Sequence, residues 1–298
     1  MDTASSIPPA FDRTREDSSN IIALEHVNVQ IADQQLATAF YVTGLLLTRD
    51  PYMMVGLDNM WINAGRTQFH LPTSVTHPQR VRGAIGLVVP EPDALEQALK
   101  RVAPKLEGTK FGMHRTVDNF EATCPWGNRF RIHAPDPHRW GQTGLGVAYI
   151  DFDVPAGTAR AIANFYLAQL DTPVDMSLQD NGLCAASVRI GADQRLNYVE
   201  THDAIPAYDG HHIQIYMADF SGPHWRLCEL GLVSRETDAH EWRFIDIIDP
   251  DTGAVAYQLE HEVRSMRHPL FGRSLVNRNP VQSNRNYLKG KDAFRGAY

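Results

Sequence analysis

The run YDGHHIQIYMADF, residues 208 to 220, places two histidines at the mouth of an alternating stretch. Ile213 and Ile215 alternate with His212, Gln214 and Tyr216, the pattern of a strand with one apolar face. Neutral imidazoles and carboxylates together hold a borderline divalent ion and leave positions open for substrate oxygens. His212 therefore reads either as a metal ligand or as a polar residue at a strand edge. Carboxylates that could join it are Glu260 in AVAYQLEHE, Glu200 at the end of LNYVET, and Asp151 in YIDFD. His202 and His240 are candidates for a proton shuttle, since histidine titrates near neutral pH. The first half of the chain is poorer in such residues and offers His26, His70 and His133.

The chain that must position them has 298 residues, 43% hydrophobic and 21% charged, with a net charge of −7. These values suit a soluble globular protein of one large or two ordinary domains. There is no basic block, which argues against nucleic acid as a partner, and no apolar run long enough for a membrane span. Three dispersed cysteines (Cys124, Cys184, Cys228) make no CxxC pair and fit a reducing cytoplasm better than a disulfide framework. The polar start over residues 1–20 has no signal-peptide core and reads as a mobile arm.

A repeat organises the rest. Residues 24–45 (LEHVNVQIADQQLATAFYVTGL) and 147–170 (VAYIDFDVPAGTARAIANFYLAQL) share an alternating strand, a turn, and an amphipathic helix carrying Phe-Tyr. Weaker copies are AIGLVVPEPDALEQALKRV, from residue 84, and HIQIYMADFSGPHWRLCEL, from residue 212. Short alternating runs such as NFEATCPWGNRFRIHA, RLNYVET and EWRFIDIIDP fill the intervals, so each unit is one strand, one helix and about three strands. Four such βαβββ units give an α+β fold. Taken in sequential pairs they make two domains, 21–142 and 143–265, followed by a tail over 266–298.

The pattern resembles the vicinal oxygen chelate superfamily, which includes glyoxalases, bleomycin-resistance proteins and extradiol dioxygenases. The resemblance covers about residues 22–265 and is carried by HVNVQIAD…AFY, CPWGNRFRIHAP and IDPDTGAVAYQLE. It implies half-barrels in which the first and last strands of paired units supply ligands to one divalent metal. On that basis the second pair holds the site, with His212, Glu260 and either Glu200 or Asp151 as ligands. Tyr149 stands where the resemblance puts a histidine. In the first pair, His26 and His70 match ligand positions, but the second unit has no ligand in its first strand. Arg131 takes the place of a glutamate and would repel a cation, so this pair reads as a structural remnant.

By length and unit count the chain looks most like the extradiol dioxygenases, which use Fe(II); Mn, Ni and Zn bind the same ligand types. The resemblance then implies a small oxygenated organic substrate, with His202, His240 and Tyr257 as candidate catalytic groups. The acid–base histidine expected near Leu196–Glu200 is missing, and Asp246 replaces an expected tyrosine. Two alternatives stay open. One is a glyoxalase-like lyase, isomerase or epimerase using Glu200 or Glu260 as base. The other is a metal-free binding protein whose cavity is lined by Trp225, Trp242, Phe244 and Tyr257. Homo-oligomerisation is open too. The basic tail could close over the cavity, with Arg273 and Asn277 as the residues that meet a ligand.

Overall fold

The computed structural model describes residues 13–53, 58–116, 120–279, 282–283 and 285–289. Most of the expected N-terminal arm, residues 1–12, lies outside them. Within them the four repeats are present. The first unit contains β1 (Ile21–Asn28), helix α1 (Gln34–Ala37) running on as a π-helical stretch Thr38–Gly44, β2 (Thr48–Arg49), β3 (Asn59–Ala64) and β4 (Thr67–Pro72). The second contains β5 (Gly83–Val88), α2 (Pro92–Val102), β6 (Gly112–Arg115), β7 (Phe120–Thr123) and β8 (Arg129–His133), and a short helix α3 (Pro137–Trp140) follows it. The third contains β9 (Gly146–Pro155), α4 (Ala159–Leu170), β10 (Val174–Leu178), β11 (Cys184–Ile190) and β12 (Gln194–Thr201). The fourth contains β13 (His212–Met217), α5 (Ser221–Glu229), β14 (Val233–Asp238), β15 (Glu241–Ile248) and β16 (Val255–Ser265).

The helices follow from local chemistry. In α2, Pro92 opens the first turn, Asp93 faces the helix N-terminus, and Lys100 and Arg101 sit in the last turn. Leu95, Ala98, Leu99 and Val102 then form one buried stripe. In the first unit Asp33 caps α1 by accepting from the Leu36 amide at 2.8 Å.

The two eight-stranded sheets are shared crosswise. One runs β14-β15-β16-β13-β1-β4-β3-β2, joining units one and four; the other runs β10-β11-β12-β9-β5-β8-β7-β6, joining units two and three. The seams are the antiparallel pairs β1–β13 and β5–β9. This departs from the sequential pairing expected for the cups. The order of repeats fixes where each first strand lies in the chain but not which other first strand it meets. What decides is where the chain crosses between sheets: at residues 73–82 and again at 202–211. The two crossings clasp each other, with Gln79 Nε2 donating to the Asp209 carbonyl at 2.9 Å and the Arg80 amide donating to Asp209 Oδ2 at 2.7 Å.

The apolar packing does follow the sequence. Phe40, Tyr41 and Phe69 of unit one meet Phe130 of unit two. Phe165 and Phe152 of unit three meet Phe244 and Tyr257 of unit four. The divisions 21–142 and 143–265 therefore describe how the sheets' backs pack, whereas each polar cup is built from one unit of each division.

Candidate metal centre

The crosswise pairing brings together residues that the sequential reading kept apart. In β1, β13 and β16, alternate residues face the cup of the first sheet: His26 and Asn28; His212, Gln214 and Tyr216; Glu260, Glu262 and Arg264. From β4, Gln68 and His70 join them. One ring nitrogen from each of His26, His70 and His212 lies within 4.8 Å of the other two. The ring centroids of His70 and His212 are 5.7 and 5.9 Å from that of His26. Glu262 Oε2 is 3.4 Å from His212 Nε2.

The surroundings hold this set in place. His26 is 1% exposed, and among the described residues neither of its nitrogens has a hydrogen-bond partner. A buried imidazole left that way is costly unless something else occupies its lone pair. Burial first, and then the cations nearby, pushes its pKa well below the usual range, so it is a neutral donor. His70 stacks on Trp61 at 3.8 Å, and its Nε2 lies 2.7 Å from Asn59 Oδ1. The amide oxygen only accepts, so Asn59 places the proton on Nε2 and leaves a lone pair on Nδ1. Burial is the main cause that brings His70 down to about 3. For Glu262, burial alone would raise the pKa, but the His212 imidazole 3.4 Å away and the charges of Arg264 and Arg243 hold it well below the carboxylate range. Both arginines pair with Glu262, and both also reach Glu241. Arg264 extends the chain to Glu25 at 3.5 Å.

The sequence-derived candidates fall in several places. His212 is in the cluster. Glu260 lies at its rim, 3.7 Å from His212 Nδ1, and its carboxylate is held by Arg243 Nη1 at 2.6 Å. Glu200 and Asp151 belong elsewhere. Glu200 accepts from the Ala159 amide at 2.9 Å and the Cys184 amide at 3.0 Å, capping α4 and pinning β11. Burial would raise its pKa, but these backbone bonds lower it. Asp151 sits in the other cup, ion-paired with Arg131 and bonded by Asn197 Nδ2 at 2.8 Å. In that cup Tyr149 lies over Gly86, where an added Cβ would come within 2.2 Å of its ring, and its hydroxyl meets His133 Nε2 at 2.9 Å. Arg131 and Tyr149, the two departures from a ligand pattern, therefore occupy the same cup, and it is not the one that holds His26 and His70.

The proposed catalytic groups are not at the cluster. Tyr257 is on the opposite face of β16, packed against Phe152 and Tyr198 with the Arg82 guanidinium 4.1 Å above its ring. His202 is exposed in the segment after β12, which belongs to the other sheet. His240 lies in the turn before β15, 3.5 Å from Ser265 Oγ and five residues along β16 from Glu260. The four aromatics expected to line a binding cavity do not share one: Trp242, Phe244 and Tyr257 are core, and Trp225 is 65% exposed. Glu262 was not among the sequence-derived candidates. The signal was present in the alternation, which puts 260, 262 and 264 on one face.

The tail over 266–279 straps across the far end of the cup. Phe271 packs on Tyr216, and Arg273 Nη2 pairs with the fully buried Asp50 at 2.8 Å. Asn277 makes two bonds with the Gly65 backbone, at 3.0 and 2.9 Å. Gly65 turns there with φ +64° and a carbonyl of Leu145 against it, which leaves no room for a side chain. A cavity of about 790 Å³ lies beneath the strap, between Tyr216, Leu145–Val147 and the β11–β12 turn.

No protein-family model matches the chain, and no curated protein matches it by sequence. Its architecture is similar to that of glyoxalase I from Zea mays, with a TM-score of 0.59 at 12% identity, covering 81% of this chain and 92% of that one. It is also similar to a Bacillus subtilis protein provisionally assigned as a dioxygenase, with a TM-score of 0.55 at 12% identity, covering 84% and 87%. At these identities the likeness shows a shared fold. Within it, the polar cup of units one and four gathers three imidazoles and Glu262.

Proposed function

We propose that the chain is a metal-dependent enzyme of the vicinal oxygen chelate type, in which His26, His70, His212 and Glu262 hold a divalent ion. The observation that carries this reading is the meeting of three imidazoles from three strands in a buried cup, with both nitrogens of His26 lacking a partner among the described residues. The charge balance supports it. The connected groups of the cup are the carboxylates of Glu25, Glu241, Glu260 and Glu262 and the guanidiniums of Arg243 and Arg264. Four acids against two bases leave a formal surplus of two negative charges, the amount a divalent cation neutralises.

Three imidazoles and one carboxylate suit Fe(II), and also Mn, Ni or Zn. When bound, the ion would supply Lewis acidity toward a substrate carrying adjacent oxygens. The chain's own residues keep His26 and His70 neutral and Glu262 ionised, orient ligands through Asn59, Arg243 and Arg264, and close the far end of the cup with the strap.

The reaction we infer is oxygenative ring cleavage of a small catechol-like molecule. The lyase and epimerase alternative relied on Glu200 or Glu260 as base. Glu200 is committed to backbone amides and Glu260 to Arg243, which favours oxygenation. The test is the metal content of protein purified anaerobically without chelator, for wild type, His26→Ala and His212→Ala, followed by oxygen uptake with catechols. About one iron per chain, lost in both variants, with uptake only in wild type, is the expected result. Zinc, nickel or manganese lost in the same way, with no oxygen uptake, would refute ring cleavage and retain the metal centre. No metal in any of the three would refute the metal centre as well.

A further inference from the structure

A second set of donors lies outside the cup, on the face of the fourth unit where α5 meets β14. His224 and Cys228 are four residues apart in α5 and so share one face of the helix. Glu236 reaches them from β14. One donor atom from each lies within 4.8 Å of the other two. His224 Nε2 is 2.6 Å from Glu236 Oε1 and 3.6 Å from Cys228 Sγ.

We propose that His224, Cys228 and Glu236 form a second, surface-accessible metal site selective for zinc or a similarly thiophilic divalent ion. Zinc–sulfur and zinc–nitrogen bonds of about 2.3 and 2.0 Å, set at a tetrahedral angle, give an N···S edge of about 3.5 Å. The observed 3.6 Å matches that edge without movement. The carboxylate has to move back only from hydrogen-bonding distance to an N···O edge of about 3.3 Å, and a water completes the fourth position.

The scaffold fixes the central ligand. The ring of His224 packs edge-on against the buried Trp242, with centroids 5.4 Å apart. Cys228 and Glu236 are exposed, so the open side faces solvent and the site is reachable in the folded protein. A thiolate in the set separates it chemically from the cup, where nitrogen and oxygen donors gather. The bound ion would tie a nine-residue helix to the sheet edge beside it.

Cobalt(II) added to metal-free full-length protein tests this directly. Only a cysteine ligand produces a thiolate-to-cobalt charge-transfer absorption, so the band reports this site whatever the cup binds. The expected result is a band that titrates to one equivalent, is displaced by zinc, and is lost in Cys228→Ser. In His224→Ala it needs at least tenfold more cobalt. Cys124→Ser and Cys184→Ser, made separately, keep the band. No band in wild type would overturn the proposal, and so would a band that survives Cys228→Ser or is unchanged in His224→Ala. Far-UV circular dichroism checks that each variant is folded.

Discussion

Acid should destabilise this protein through a histidine that has no part in the cup. His261 lies on the core face of β16, fully buried and stacked on Phe244 with centroids 4.3 Å apart. Its Nδ1 donates to the Leu259 carbonyl at 2.8 Å. Nε2 must then accept from the Tyr166 hydroxyl at 2.6 Å, and Tyr166 in turn accepts from Tyr198 at 2.5 Å. A proton added to Nε2 would face a hydroxyl already donating to it and reverse the whole chain. Burial is the main cause that lowers the folded pKa to about 4, against 6.5 unfolded. The unfolded state therefore binds more protons below pH 6.5, and stability is lost as pH falls from 6.5 through 4. At pH 4.5 the ratio of binding terms is (1 + 10²)/(1 + 10^−0.5), which corresponds to about 2.5 kcal/mol. His261→Phe keeps a ring against Phe244 and removes the titration. Urea unfolding of the metal-free protein at pH 7.5 and 4.5 gives the loss for each form. Wild type should lose about 2.5 kcal/mol more than the variant, because the other histidines are common to both and cancel. Equal losses would refute the tautomer and the buried chain.

Three further outcomes follow from contacts described above. Gly86→Ala drives a Cβ into the Tyr149 ring and should cost about 1–3 kcal/mol by thermal unfolding, with most of that cost relieved in a Tyr149→Ala background. Arg273→Ala leaves the fully buried Asp50 without its ion pair; it should cost about 3 kcal/mol and make the strap over 266–279 cleavable by protease in the native protein. Glu200→Ala removes the acceptor at the start of α4 and should cost about 1–2 kcal/mol while leaving the metal content unchanged. Loss of metal in that variant would return Glu200 to the ligand set.

Much of the fold was legible because it is written four times. HVNVQIAD and HIQIYMAD repeat one strand and its turn, and their histidines occupy the same place in units one and four. That equivalence held the answer to the apparent gap at Tyr149: the partner of His212 is His26, not the residue one unit earlier. Partner choice was not legible because it depends on two crossings held by Gln79, Arg80 and Asp209, residues with no mark in any periodicity. Carboxylates were misassigned for a related reason. A glutamate at a strand end looks the same in sequence whether a metal or a helix N-terminus lies beyond it, as Glu200 demonstrates. Glu262 was readable by period two, which puts it on the same face as Glu260. Arg273 and Asn277 were singled out in a basic tail, and they are two of the residues that dock it.

The crosswise pairing also sets an order of assembly on the ribosome. Units two and three are neighbours in the chain, so their sheet can close once β12 has emerged. Strand β1 must wait for β13, which begins 184 residues after β1 ends (212 − 28). At about 5–20 residues per second, that interval is on the order of ten seconds or more. Throughout it, the first unit presents an unpaired strand edge that bears a buried-to-be histidine and apolar neighbours. Of the two polar cups, the one that gathers the three imidazoles is therefore the last whose strands are all available.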